Sequence, residues 1–224
     1  MRIPQKKGQK GSLKLVQTLV NGHASILDRE ISADLNLDID RISWLSPLAK
    51  DDYCEYRDED FLKVLGLSRY IDKLKTFWPK NGPQWDALGR ADEGGPYFLV
   101  EAKANIPEIT SSMQASSSAS IALIRKSLEE TVDYLECRYN GLWENGFYQY
   151  VNRMAHLYFL RRVCRVEAYL VFIYFVGDTC HIPTSLEQWQ GALRLQKSLL
   201  GLTRHRLGKF VAQVFINTDN LQNR

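Results

Sequence analysis

Asp86 stands inside one short apolar run, Gln84-Trp85-Asp86-Ala87-Leu88-Gly89, and Glu101 and Lys103 close the next, Tyr97-Phe98-Leu99-Val100-Glu101-Ala102-Lys103. Between the runs, Asp92-Glu93-Gly94-Gly95 is a turn signal. Two strands joined there pair antiparallel. Residues two apart on a strand share a face, so Glu101 and Lys103 point the same way. Asp86 reaches that face from the neighbouring strand. The pattern predicts two carboxylates and one ammonium in a small volume beside an otherwise apolar sheet.

Acids and lysines are almost never fully buried unless paired or bound to a metal. Two carboxylates sharing a site repel, so one of them is expected to hold its proton. A divalent cation removes that conflict, and a few oxygen ligands completed by water suit Mg²⁺. The lysine then orients or deprotonates a water, or neutralises charge developing on a phosphate. A Glu–Lys salt bridge on the wet side of a hairpin is the alternative reading of so short a pattern. Val100 and Ala102 beside the charges, and the run Phe98-Leu99-Val100, typical of a strand buried on both faces, favour a site.

These residues resemble the signature of the PD-(D/E)xK nuclease superfamily, an Asp at one strand and a Glu/Asp-x-Lys on the next strand of a hairpin. Asp86 matches the first position, Glu101 and Lys103 the second. Trp85 stands where the superfamily's name has proline, and Pro83 lies further back. The wider context, Phe77-Trp78-Pro79 through Pro107-Glu108 with Tyr148-Gln149-Tyr150-Val151-Asn152-Arg153, looks like an uncharacterised bacterial branch. The resemblance implies a restriction-endonuclease-like core and Mg²⁺, with Mn²⁺ as a substitute, held by Asp86, Glu101 and the Ala102 carbonyl. It implies a Gln on the helix after the lysine strand, for which Gln149 is the candidate. It also implies a further acid near the N-terminus. Glu30, Glu55, Glu59 and Asp60 all qualify, and Glu55 is chosen.

At 224 residues the chain can bury one sizeable core, and its 45% apolar and 25% charged content is ordinary for a soluble globular protein. The longest apolar run, Ala168 to Val176, is strand-length and too short to span a bilayer. No apolar stretch backs the basic N-terminus, so no secretory signal is expected. Cys54, Cys137, Cys164 and Cys180 are scattered without C-x-x-C spacing, which predicts reduced thiols in a cytoplasmic protein. The four histidines have no metal-ligand spacing. Net charge is only +3, but cations cluster: Arg2, Lys6, Lys7, Lys10 and Lys14, then Arg161, Arg162 and Arg165, then Arg204, Arg206 and Lys209. Such clusters suit a phosphate backbone, or equally the solvated ends of helices.

The elements that must position the site follow from periodicity. Residues 1–11 read as a disordered basic arm, with 12–224 as one domain. Helical spacing runs from Leu13 to Leu27, and a helix is expected within Asp51–Leu65. Asp58 or Asp60 stands near its start, and Phe61, Leu62, Val64 and Leu65 form its apolar side. Ile71 to Phe77 leads into strands near 84–90 and 97–103. Ser111–Ser120 reads as a loop or helix start, followed by helices over 118–137 and 146–163. Strand 167–176, a helix near 185–200 and a last strand at 210–217 complete the order. This predicts an α/β fold, a central mixed sheet with helices on both faces.

On the second long helix, Gln149, Asn152, Arg153 and His156 line one face. The stripe holds amides, a guanidinium and an imidazole, groups that suit phosphates or bases. Arg153 and Asn152 are read as substrate contacts, and Arg153→Ala as a change that spares folding. His156 is read as packed in a helix interface. The expected function is Mg²⁺-dependent hydrolysis of nucleic acid, DNA ahead of RNA and without a membrane partner, by an endonuclease. A homodimer would serve to cut both strands of a duplex. A nuclease-fold binding module that has lost chemistry, and a metal-dependent hydrolase of small phosphorylated molecules, are the alternatives.

Overall fold

The computed structural model describes residues 1–92 and 95–221. Glu93 and Gly94, the centre of the expected turn, lie outside the described residues. The chain opens with strand β1 (Arg2–Ile3), then helices α1 (Gly11–Gly22) and α2 (Ala24–Leu35), strand β2 (Ser43–Ser46) and strand β3 (Glu55–Tyr56). Helices α3 (Glu59–Val64) and α4 (Ile71–Phe77) precede the hairpin β4 (Ala87–Asp92) and β5 (Gly95–Lys103). After β6 (Ser111–Ser112) come α5 (Ser118–Leu135), β7 (Asn145–Gly146), α6 (Tyr148–Tyr158), β8 (Ala168–Val176), α7 (Leu186–Leu200) and β9 (Val211–Asn217).

The main sheet has five strands in the order β2-β4-β5-β8-β9. The β2–β4 and β4–β5 pairs are antiparallel, and β5–β8 and β8–β9 are parallel. It is the expected α/β architecture with a central mixed sheet. β5 and β8 lie inside it, which is why both read as near-continuous apolar runs. Alternate residues serve opposite faces. Phe98, Val100, Ala102, Val171 and Ile173 pack with Leu19, Leu27 and Ile31 of α1 and α2. Leu99, Leu170, Phe172 and Tyr174 pack with Leu128 of α5, Met154 of α6 and Trp189 of α7. Among the described residues no helix is long and apolar enough to cross a membrane.

Local signals explain the boundaries that match. The Ser117 hydroxyl accepts the Ser120 amide at the start of α5, and Ser185 and Gln188 form a reciprocal capping box at α7. Gly201, at φ 71°, ends α7 in the left-handed region that glycine tolerates.

Four expectations differ. The N-terminal arm is ordered: Arg2 and Ile3 pair antiparallel with Tyr56 and Glu55, and the Gln17 side chain accepts from the Gly8 amide and donates to the Lys6 carbonyl. The helix expected over 13–27 breaks at His23, whose backbone leaves the helical region (φ −135°, ψ 28°). Just before that break, the Asn21 side chain bonds Pro47 and Ala49. Within 51–65 the expected helix forms over Glu59–Val64, beginning after Asp58, but Glu55 lies outside it. Asp52 and Tyr53 both take positive φ and turn the chain into β3, so Glu55 sits on a strand. Ile71–Phe77 is itself a helix, and β2 had no expected counterpart.

Candidate active site

The site forms where β5 outruns β4. The ladder between them ends at Ala87 opposite Val100, and the Asp86 amide donates to the Val100 carbonyl at 3.1 Å. Backbone groups two residues apart on a strand face the same neighbour. The Ala102 N–H and C=O are therefore directed past the end of β4. Asp86 Oδ2 accepts that N–H at 2.7 Å, leaving Oδ1 for a ligand. A carboxylate thus replaces the missing strand and is fixed by the backbone it completes.

Glu101 and Lys103 share the face that packs towards α6, as their spacing predicts. Glu101 is only 3% exposed. Its Oε1 lies 2.6 Å from Lys103 Nζ, and its Oε2 accepts Arg153 Nε at 2.7 Å and lies 2.5 Å from Arg153 Nη2. Lys103 Nζ also donates to Gln149 Oε1 at 2.7 Å. The Gln149 amide donates to the Ser111 hydroxyl at 2.8 Å, which anchors the first turn of α6 beside the lysine.

Arg153 is 4% exposed and fully engaged. Besides Glu101, it donates to Asn152 Oδ1 and to the Gln84 carbonyl, both at 2.8 Å, and its guanidinium lies 5.0 Å from the Trp85 ring centroid. Read from sequence as a phosphate clamp, it is committed instead to the protein's own carboxylate. Asn152 spends its side-chain oxygen on Arg153. His156 is caged edge-on by Phe61, Phe77, Trp78 and Trp85, with Nδ1 2.8 Å from the Asn152 carbonyl. Burial lowers its pKa to about 3, so it is neutral and structural.

Glu55 completes the acidic set from β3. Its Oε2 accepts from Gln84 Nε2 and, at 3.2 Å, from Gln5 Nε2. Of the other acids considered, Glu59 and Asp60 pair with Lys63 and Glu30 with Arg29.

The three carboxyls are electrostatically unequal. Burial pushes Asp86 well above the usual carboxylate range, and the charges of Glu101 and Glu55 push it further. Burial also acts to raise Glu101, but Arg153 and Lys103 overcome it and hold that carboxyl low. Burial raises Glu55, the Gln84 hydrogen bond opposes the rise, and the charge of Glu101 adds to it. Acids crowded at one site divide the protons unequally, as repulsion requires.

All eight residues singled out from sequence, Glu55, Asp86, Glu101, Ala102, Lys103, Gln149, Asn152 and Arg153, line one cleft of about 910 Å³. Ser111, Ser112, Ser116, Ser117 and Ser120 with Gln114 also line it, as do Ser12, Lys80 and Asn81. Sequence reasoning missed Gln5, Gln84 and Ser111 as positioning residues. Gln84 opened the quoted Asp86 string, Gln5 lay in the supposedly disordered arm, and Ser111 in a serine-rich loop.

Among the described residues, no three His, Cys, Asp or Glu side chains form a ready-made metal-binding group. Mg²⁺ does not require one, since it is usually held by one or two carboxylates, water and substrate phosphate. Asp86 Oδ1, Glu101 and the Ala102 carbonyl are hard oxygen donors of that kind. Glu101 has both oxygens occupied by cations, so coordination there means exchanging a contact with Lys103 or Arg153.

The Arg161–Arg165 and Arg204–Lys209 clusters lie elsewhere. Arg161 donates to the Ala168 carbonyl at the first residue of β8, and its guanidinium stacks 3.3 Å from the Phe210 ring centroid. β8 runs parallel to β5, so this is the opposite end of the sheet from Lys103. The ordered N-terminal arm, by contrast, reaches Glu55 through Gln5, with Lys6, Lys7 and Lys10 exposed along it, and Ser12 in the first turn of α1 lines the cleft. Comparison with known proteins returns no matching family model, no matching curated relative and no matching solved structure.

Proposed function

We propose that this cleft hydrolyses phosphodiester bonds of nucleic acid with a divalent cation, as an endonuclease of the PD-(D/E)xK type. The observation that carries the reading is the convergence of Asp86 and Glu101-Ala102-Lys103, from adjacent strands, with Gln149 from α6 on a single open cleft. Asp86, Glu101 and the Ala102 carbonyl would hold Mg²⁺ or Mn²⁺, with Glu55 beside them. When bound, the cation supplies positive charge at the scissile phosphate and increases the acidity of water. Lys103, fixed between Glu101 and Gln149, presents its ammonium to the attacking water and to charge growing on the non-bridging oxygens. Arg153 holds Glu101 ionised and oriented rather than touching substrate. The lining serines offer neutral donors to phosphate and sugar oxygens, contacts that position a strand without reading its sequence. Lys80 lines the cleft, and Lys6, Lys7 and Lys10 are exposed on the arm that reaches Glu55 through Gln5. DNA is expected ahead of RNA, and a cytoplasmic setting suits the free thiols. Cutting both strands of a duplex would take two copies of the site.

One observation favours a second reading, hydrolysis of small phosphodiesters. The two arginine clusters lie at the far end of the sheet, and of the cations lining the cleft Lys103 and Arg153 are already paired with Glu101, which leaves Lys80. A single assay separates the readings: wild type and Lys103→Ala with Mg²⁺ or Mn²⁺ on single- and double-stranded DNA and RNA, and on bis(p-nitrophenyl) phosphate. Cleavage of a nucleic acid that Lys103→Ala abolishes, with affinity kept within a few-fold, supports the endonuclease. Turnover of the small diester alone moves the assignment to the second reading. Binding without cleavage by the wild type leaves a nuclease-fold binding module.

A further inference from the structure

A second polar cavity, about 330 Å³, opens at the β9 edge of the sheet and shares no lining residue with the cleft. Tyr150, Lys197, Thr203, Arg204 and His205 line it. Among the described residues no carboxylate does. The acid that lends charge to Lys197, Asp34, is exposed and accepts the Gln213 amide at 3.0 Å.

Polar atoms here are left without partners. The Tyr150 hydroxyl is one, on a residue only 4% exposed, and His205 Nδ1 and Gln213 Nε2 are two more. Buried tyrosine hydroxyls ordinarily find a partner. This one is held by its ring, which stacks on Phe172 with centroids 4.7 Å apart and planes 11° apart. Lys197 Nζ donates to Gln213 Oε1 at 2.6 Å, which uses one of its three donors. Burial lowers the pKa of Lys197 and brings that of His205 to about 4. Two cations and two hydroxyls therefore line this cavity with no carboxylate beside them in its lining.

We propose that this cavity binds a small phosphate-bearing anion, inorganic phosphate or a phosphate monoester, through the Lys197 ammonium, the Arg204 guanidinium and the hydroxyls of Tyr150 and Thr203. A dianion with several acceptor oxygens matches both the charge and the number of donors. The volume also leaves room for a small body attached to the phosphate. The proposal is independent of the chemistry assigned to the cleft.

The test is calorimetric titration of the full chain with inorganic phosphate and, separately, ribose 5-phosphate, at ionic strength held constant with chloride. Saturable one-to-one binding is expected. Lys197→Met should weaken it about tenfold or more, and Tyr150→Phe, which keeps the ring on Phe172, about threefold to tenfold. Lys103→Met, in the cleft, should bind as wild type. If Lys197→Met does not fold, the exposed Arg204→Ala carries the same expectation. Equal affinity for the two probes assigns the site to phosphate itself, and tighter binding of the ester assigns it to monoesters. The proposal falls if neither probe gives a saturable signal, or if the cavity variants bind as wild type. It falls too if Lys103→Met, rather than the cavity variants, loses the binding.

Discussion

The two faces of strand β5 carry different kinds of residue. Towards α1 and α2 the strand presents Phe98, Val100, Ala102 and then Ala104, all buried in an aliphatic layer. Towards α6 it presents Tyr97 and Leu99, then Glu101 and Lys103. The first face stays apolar to its end because helices cover it throughout. The second changes character where β4 stops and the cleft begins. There the charges are not solvated but paired: Glu101 by two cations, Lys103 by a carboxylate and an amide, Asp86 by a backbone amide. The contrast teaches that one strand serves as both core and scaffold of the candidate site. The rigid apolar face fixes the positions of the charges on the other.

The largest expected effect tests whether the charged face is also structural. Arg153→Ala removes a buried partner of Glu101 and should cost about 3–5 kcal/mol, the range for breaking a buried ion pair. Urea unfolding measures it. A loss under about 1 kcal/mol would mean Lys103 alone suffices for Glu101, and Arg153 would return to the list of substrate contacts.

On the opposite face, Ile31→Ala should cost about 2–5 kcal/mol by leaving a cavity in the aliphatic layer. Under conditions where the protein stays folded, it should leave the Lys103-dependent activity unchanged. Combined with Arg153→Ala, the two losses should add to within about 0.5 kcal/mol. Strong coupling would show that the sheet does not insulate its faces.

The pH dependence comes from His156. Its folded-state pKa of about 3 lies below the unfolded value of roughly 6.5. The unfolded chain therefore binds more protons between those values. The stability is present above pH 6.5 and is lost as pH falls, with a limiting slope of about 1.4 kcal/mol per pH unit from this group. His156→Gln should flatten the slope between pH 6 and 4 relative to wild type. An unchanged slope would place the acid sensitivity in the carboxylates of the cleft.

The smallest stability effect is expected at Gln149. Gln149→Ala removes one hydrogen bond to Lys103 and should cost about 1 kcal/mol or less. Turnover should fall by a larger factor, because the lysine loses its orientation. Equal small losses in both would make Gln149 merely a packing contact.

Much of this architecture was legible in the residues themselves. The apolar runs of β5 and β8, the serine-rich start of α5 and the helical stretch near 185–200 are local signals. Local geometry is what periodicity and capping report. The shared face of Glu101 and Lys103 follows from the two-residue repeat of a strand. The stripe Gln149–Arg153 follows from the helical repeat of α6, and both were readable without coordinates.

What the tertiary structure alone decided was which charges meet. Arg153 reads as a substrate contact because an amphipathic stripe does not say whether a ligand or another element of the protein meets it. Here β5 covers it and supplies Glu101. Glu55 reads with the acidic stretch that leads into a helix, but two left-handed residues at Asp52 and Tyr53 and pairing with Arg2 and Ile3 make it a strand. The arm looked disordered because its composition is basic and poor in apolar groups. Its order comes from a backbone ladder and from glutamines 5 and 17, contacts made across 50 and 9–11 positions of sequence. Backbone hydrogen bonds and buried ion pairs depend on partners remote in the chain. Side-chain type and spacing encode which groups are available, and only the folded topology selects the pairs that form.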